Sequence, residues 1–198
     1  MGLVTKGLLG TSPIAAIPYS LSLIIPSLSL GNWTILFSLL LILIQIISLR
    51  KDANKLEIIL QIIISFIFGY FIDFSMWCLK DYAPSVYLLK LLSLIVGCCV
   101  IAFGAYLEVI ADVVMLPGDA FVRAIAKVTN REYGGVRVIS DVSMTVVAGI
   151  LCLVFLQKLE GVREGTIIAA LITGNIVKVF TKKLKAFTYS LLPEIPKE

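Results

Sequence analysis

Residues 33–49 read WTILFSLLLILIQIISL, an apolar run without a charged residue. A helix needs about 20 residues to cross the roughly 30 Å hydrocarbon core of a bilayer, so such a run is typical of a transmembrane helix. Short charged loops separate it from four further runs of the same character, at residues 56–77, 88–109, 138–156 and 165–179. The sequence therefore predicts an all-α, polytopic membrane protein with about five full transmembrane helices.

The composition excludes several classes of protein. The 198 residues are 59% hydrophobic and 15% charged, whereas soluble domains are about half apolar and a quarter charged. Histidine is absent, which removes the commonest metal ligand and proton shuttle. The four cysteines lie in apolar runs without metal-ligand spacing. We therefore expect no enzyme activity, no catalytic residue, no cofactor and no metal.

Basic residues are about twice as frequent on one face of the predicted bundle as on the other. Because cytoplasmic loops carry the excess of lysine and arginine, this bias places that face and the C-terminus in the cytoplasm. The basic residues are also dispersed between apolar runs, so we expect the lipid bilayer, and no nucleic acid, as a partner. Those on the predicted cytoplasmic face are Arg50, Lys51, Lys55, Arg123, Lys127, Arg131, Arg137, Lys182, Lys183 and Lys185.

Two proline-started segments indicate an internal repeat. Pro13 precedes the first span, and Pro117 occupies the matching place in the second half; at the same offset Gly31 matches Gly135. We predict short interfacial or re-entrant helices at both prolines, and one membrane domain over residues 1–198. Within it, residues 1–80 form a first, truncated repeat, residues 86–186 a second repeat, and residues 187–198 a cytoplasmic tail.

The two repeats are predicted to be inverted and unequal. Each complete unit would hold three spans, and an odd number reverses the second copy, as in many secondary transporters. Residues 88–113 precede Pro117, whereas only residues 1–12 precede Pro13, so the first helix of the first repeat is missing. Either five spans and a stub make the domain, or a sixth helix lies upstream of Met1.

Two motifs carry a resemblance to a known family. The phrase Gly7-Leu8-Leu9-Gly10-Thr11-Ser12-Pro13 resembles the GLGTSP signature of the YitT/YczE-like bacterial integral membrane proteins. Gly69-Tyr70-Phe71-Ile72-Asp73 is similar to that family's G-x-x-I-D span. The resemblance implies a multi-pass protein of the bacterial inner membrane, a transporter of unassigned substrate without established catalytic residues. The absence of a soluble C-terminal domain places the chain with the shorter YczE-like branch.

The helix starts are the first candidate site. A helix start presents amide groups and a partial positive charge, which suit an anionic group, although a proline start also simply turns the chain at the membrane surface. Asn175, within the last apolar run, is a candidate solute contact or an interhelical hydrogen-bonding residue. The candidate substrate-binding residues are Gly10, Thr11, Ser12, Pro13, Pro117, Gly118, Asp119 and Asn175.

The segment after Pro117 has the pattern of an interfacial amphipathic helix. Phe121, Ala124, Ile125 and Val128 share one helical face in the sequence pattern, opposite a charged row. That charged row consists of Asp119, Arg123 and Lys127. We therefore expect Arg123 and Lys127 to contact anionic lipid headgroups.

Acidic residues in or near the spans form the second candidate site. Carboxylates inside a membrane are costly and tend to mark ion or proton paths. The alternative is a mutually neutralised ring at the membrane interface. The candidates for ion or proton coupling are Glu108, Asp112, Asp141 and Asp73.

Together these patterns favour a multi-pass inner-membrane transporter of an unidentified small solute, with a homo-oligomer as a further possibility. The alternatives are a ligand-binding membrane subunit that docks onto an ATP-driven transport module, and a non-transporting membrane accessory protein.

Overall fold

The described chain is entirely helical in its regular structure. The computed structural model describes residues 1–7, 9–50, 54–111, 114–158, 161–163, 165–166, 169 and 176. Within them it contains seven α-helices and no strand. The helices are α1 (Gly2–Lys6), α2 (Pro13–Ile24), α3 (Leu30–Leu49), α4 (Lys55–Cys78), α5 (Tyr87–Ala111), α6 (Pro117–Thr129) and α7 (Tyr133–Leu156).

Four helices are long and apolar enough to cross a membrane. They are α3, α4, α7 and the Tyr87–Ala105 part of α5, and each agrees with a predicted span to within a few residues. Their outward side chains are large and apolar, as lipid contact requires. The predicted class of all-α membrane protein is thereby confirmed. The fifth predicted span, residues 165–179, and the predicted tail, residues 187–198, lie mostly or wholly outside the described residues.

Besides the five-residue α1, two of the described helices are too short to cross a membrane. The 12 residues of α2 and the 13 of α6 extend only about 18–20 Å at about 1.5 Å per residue. Both begin with proline, as predicted. Proline is well placed there because its missing N–H would have had no partner within the helix.

The predicted apolar face of α6 is largely buried where α6 packs between α3 and α7. Ala124 is buried, and Phe121 and Ile125 pack against the cluster that includes Val136. Val128, the last residue of that face, is 54% exposed. Small residues elsewhere on α6 are buried as well, and small side chains let helix backbones approach closely.

The packing of the short helices is reciprocal. α2, in the first half of the chain, packs against α7, the long helix of the second half; α6, in the second half, packs against α3, the long helix of the first half. Each short helix also contacts the long helix that follows it, since α2 packs on α3 and α6 on α7.

The pair α3 and α4 is held together by two glycines. A Cβ on Gly69 would overlap Ile35, and one on Gly31 would overlap the Gly69 carbonyl oxygen. The start of α3 therefore lies directly against the last turns of α4, and the two helices are antiparallel. A smaller core forms where α1 packs on α5, and it includes Val4, Leu9, Leu94 and Cys98.

Candidate functional site

The two proline-started helices meet at their starts. Gly118 lies against Ile14, and a Cβ placed on Gly118 would be 3.0 Å from Cγ1 of Ile14. Pro13, Pro117 and Gly118 are all buried. Two segments that lie far apart in the sequence thus form one junction inside the bundle.

Contacts along α7 show where this junction lies. In α6, Asp119 binds Arg137, and Val122 and Ala126 cluster with Val136, all in the first half of α7. In α2, Ser20 donates to the Ala148 carbonyl oxygen at 3.4 Å, in the second half of α7. The start of α6 therefore lies beside the first turns of α7, and α2 extends along the second half of α7.

The loop before α2 is fixed by the residues around Thr166. Gly10 has φ of +115°, a conformation that favours glycine, and a Cβ there would overlap Thr166. The Thr11 N–H donates to Thr166 Oγ1 at 3.2 Å, and the Gly165 N–H donates to the Leu9 carbonyl oxygen at 2.8 Å. Gly10 and Thr11 are thus in a tightly packed loop, whose role in the structure is to position Ser12 and Pro13.

A cluster of charged groups lies beside the start of α6. Arg137 on α7 donates to Asp119 and to Tyr133 Oη at 3.2 Å, and its Nε donates to Asp141 Oδ2 at 3.3 Å. Tyr133, Arg137 and Asp141 follow one another at four-residue intervals, so they share one face of α7. Sequence reasoning omitted Tyr133, although its spacing to Arg137 is a usable signal.

Glu108 links this cluster to α5. Its Oε1 accepts the Leu116 N–H at 2.7 Å, immediately before Pro117. Glu108 lies in the last turn of α5, which ends at Ala111. Glu108 therefore ties the end of α5 to the residue that precedes α6.

The cluster carries an excess of negative charge. Glu108, Asp119 and Asp141 contribute three carboxylates against the guanidinium groups of Arg137 and of Arg123, whose charge also acts on Tyr133, so the formal charge is −1 when all are ionised. Such an arrangement favours a proton or a small cation over an anion. No group of three or more potential ligands in the described residues is arranged to hold a metal ion. Asp112 and Asn175, also predicted site residues, lie outside the described part of the chain.

Asp73 is separate from this cluster. Its Oδ2 accepts the Ser29 hydroxyl at 2.5 Å, and its Oδ1 accepts the Gly31 N–H at 2.8 Å. Both oxygens accept hydrogen bonds at the start of α3, where a carboxylate also complements the positive end of the helix dipole. Asp73 therefore links the end of α4 to the start of α3. It does not lie beside Glu108 and Asp141, the other described candidate carboxylates.

A cavity of about 180 Å³ lies between the start of α4 and α6. Arg123 is exposed at its edge, one turn after Asp119, and donates to Met115 Sδ at 3.7 Å. Lys127 is exposed one turn further along α6. The residues that line the cavity are Asn54, Leu56, Glu57, Leu60, Val114, Met115 and Arg123.

The profile of a family of unknown function (DUF6198) matches residues 1–182. No curated protein and no solved structure matches the chain.

Proposed function

We propose that this chain, which belongs to the family of unknown function DUF6198, is a multi-pass membrane transporter of a small solute. The observation that carries the proposal is the junction at which α2 and α6, both too short to span, meet by Ile14 and Gly118. Discontinuous helices whose starts meet deep in a bundle are a recurring feature of secondary transporters, in which they bind the solute near the midplane.

The reciprocal packing supports an inverted repeat as the basis of transport. α2 and α6 are the matching helices of the two predicted repeats, and so are α3 and α7. In an inverted repeat, the contact of α2 with α7 and the contact of α6 with α3 are equivalent, and both are present. The resemblance of the Gly7–Pro13 segment to the YitT/YczE-like signature also supports a transporter. Transport would occur as one repeat rocks against the other.

The charged cluster supplies a means of coupling to protons. Protonation of the Glu108 carboxylate removes one negative charge beside the start of α6. Arg137 on α7 contacts Asp119 on α6 as well as Asp141 on α7. A change in the charge of the cluster therefore alters the contact between α6 and α7. We propose that uptake or release of this proton accompanies the movement of α6.

Purified protein in liposomes tests the proposal. Solid-supported membrane recordings would follow currents on addition of four probes: glucose, lysine, succinate and leucine, which are a neutral, a cationic, an anionic and a zwitterionic solute. We expect a current with at least one probe, lost in Glu108→Gln under a pH gradient and retained in Glu132→Gln, an exposed glutamate before α7. Currents no larger than in protein-free liposomes for all four probes would contradict transport of small solutes.

A further inference from the structure

The cavity between α4 and α6 holds two opposite charges that do not pair with each other. Glu57 on α4 supplies a half-buried carboxylate, and Arg123 on α6 supplies a guanidinium. No ion pair joins these two described residues, and the sulfur of Met115 is a weak acceptor for Arg123. The volume of about 180 Å³ has room for about six waters at about 30 Å³ each. The cavity is therefore of the size of a small metabolite, with a group of each sign at its wall.

Gln61 supports Glu57 from inside the bundle. Gln61 is completely buried one turn after Glu57 on α4, and its Nε2 donates to Glu57 Oε1 at 3.5 Å. It is not among the described residues that line the cavity, so its contact is with Glu57 and not with a bound group.

The donor that suits the Glu57 carboxylate is an ammonium group, which carries a positive charge and three N–H donors. The planar guanidinium of Arg123 suits a carboxylate or phosphate, which it can bind with two parallel hydrogen bonds. Leu56, Leu60 and Val114 line the same cavity and offer apolar surface to a short hydrocarbon group.

We infer that this cavity binds a small zwitterion, with its ammonium group at Glu57 and its anionic oxygens at Arg123. Two sources have this chemistry: a free amino acid with an apolar side chain, and the headgroup of phosphatidylethanolamine. The inference deepens the proposed function by naming the substrate class, and it rests on that function only for the step from binding to transport. Because Arg123 follows Asp119 by one turn of α6, a bound zwitterion lies next to the charged cluster.

Calorimetric titration of the full-length protein in an uncharged maltoside detergent tests the inference. L-leucine is the probe, with 4-methylpentanoate, which lacks the ammonium group, and isoamylamine, which lacks the carboxylate, as analogues. We expect saturable binding of leucine and at least about tenfold weaker binding of each analogue, since each loses one charged contact. Glu57→Gln and Arg123→Gln should weaken leucine binding by about tenfold or more, while 4-methylpentanoate binding should fall only in Arg123→Gln.

Matched variants separate the site from general changes of charge. Glu132→Gln and Arg131→Gln make the same charge changes at exposed positions away from the cavity, and should leave leucine binding unchanged.

Nanodiscs distinguish the two sources of the zwitterion. Leucine binding that is equal in phosphatidylcholine discs with and without phosphatidylethanolamine identifies a free solute as the ligand. Leucine binding that phosphatidylethanolamine suppresses, in the wild type and in Glu132→Gln alike, identifies the headgroup. The inference is overturned if leucine does not bind saturably in detergent, if the analogues bind as well as leucine, or if Glu57→Gln and Arg123→Gln bind normally. Saturable binding without any solute-driven current would contradict the proposed transport while leaving the site intact.

Discussion

Gly118 at the start of α6 lies against Ile14 at the start of α2, in a contact that leaves no room for a side chain on Gly118. Two helix starts that face each other also bring the positive ends of two helix dipoles together. Asp119 in the first turn of α6, and Glu108 bonded to the residue before Pro117, place negative charge at this junction. The carboxylates therefore have a structural reason to be there as well as a proposed role in proton coupling.

The contact of Gly31 with Gly69 predicts that alanine at position 31 destabilises the protein, although alanine normally favours a helix. Gly31→Ala should lower the free energy of unfolding by about 1–3 kcal/mol, because the new Cβ meets the Gly69 backbone, which cannot move without separating the helices. Gly149→Ala is the matched control, since nothing lies within 4 Å of a Cβ there. That variant should gain up to about 1 kcal/mol from helix propensity. Denaturant titration in micelles, followed by tryptophan fluorescence, measures both, and equal stabilities would refute the close packing.

The role given to Asp73 is tested by comparing two substitutions. Asp73→Ala removes the acceptor of both the Ser29 hydroxyl and the Gly31 N–H, and should cost about 1–2 kcal/mol of unfolding free energy. Asp73→Asn keeps one oxygen for Gly31 and should lose less than half as much. The same unfolding titration measures the difference. If both variants kept wild-type stability but lost transport, Asp73 would instead be a candidate for ion or proton coupling.

Hydrophobicity and the two prolines were enough to predict most of the fold. The bounds of α3 and α4, and the starts of α2 and α6, follow from apolar length and from Pro13 and Pro117. The apolar face of α6 was predicted, but the burial of Ala120 and Ala126 was not, because it depends on how α3 and α7 pack against α6. For Asp73, the sequence shows a carboxylate near the end of a span, but its partners Ser29 and Gly31 are brought to it only by tertiary packing.

The charged cluster was predicted in part for a similar reason. The four-residue spacing of Arg137 and Asp141 identifies one pair directly. The contact of Arg137 with Asp119 depends on the angle at which α6 meets α7, and that of Glu108 with Leu116 depends on the turn after α5. Neither the angle between α6 and α7 nor the turn after α5 can be predicted from a local sequence pattern.

The ion pair between Arg137 and Asp119 should show strong coupling. Arg137→Gln leaves the carboxylates of Asp119 and Asp141 facing each other without a cation, whereas the Asp119→Asn, Arg137→Gln double variant removes one of them. We expect the double variant to be more stable than the sum of the two single losses predicts, by about 1 kcal/mol. A double-mutant cycle of unfolding free energies measures this coupling energy. Strict additivity would show that the two side chains do not interact.

The junction of α2 and α6 is tested most directly by a disulfide across it. Since a Cβ on Gly118 lies 3.0 Å from Cγ1 of Ile14, the two Cβ atoms fall within the distance that a disulfide spans. The Ile14→Cys, Gly118→Cys variant would be made without the four native cysteines and with a protease site between α4 and α5. Its control is the Ser22→Cys, Gly118→Cys variant, because Ser22 lies about 12 Å further along α2 from Ile14.

After oxidation and cleavage, the account predicts that the two fragments of the Ile14→Cys, Gly118→Cys protein migrate together on a non-reducing gel and separate on reduction, while the control fragments separate throughout. Separate fragments for both proteins would show that the starts of α2 and α6 do not meet, and the proposed transport site would then have no structural basis.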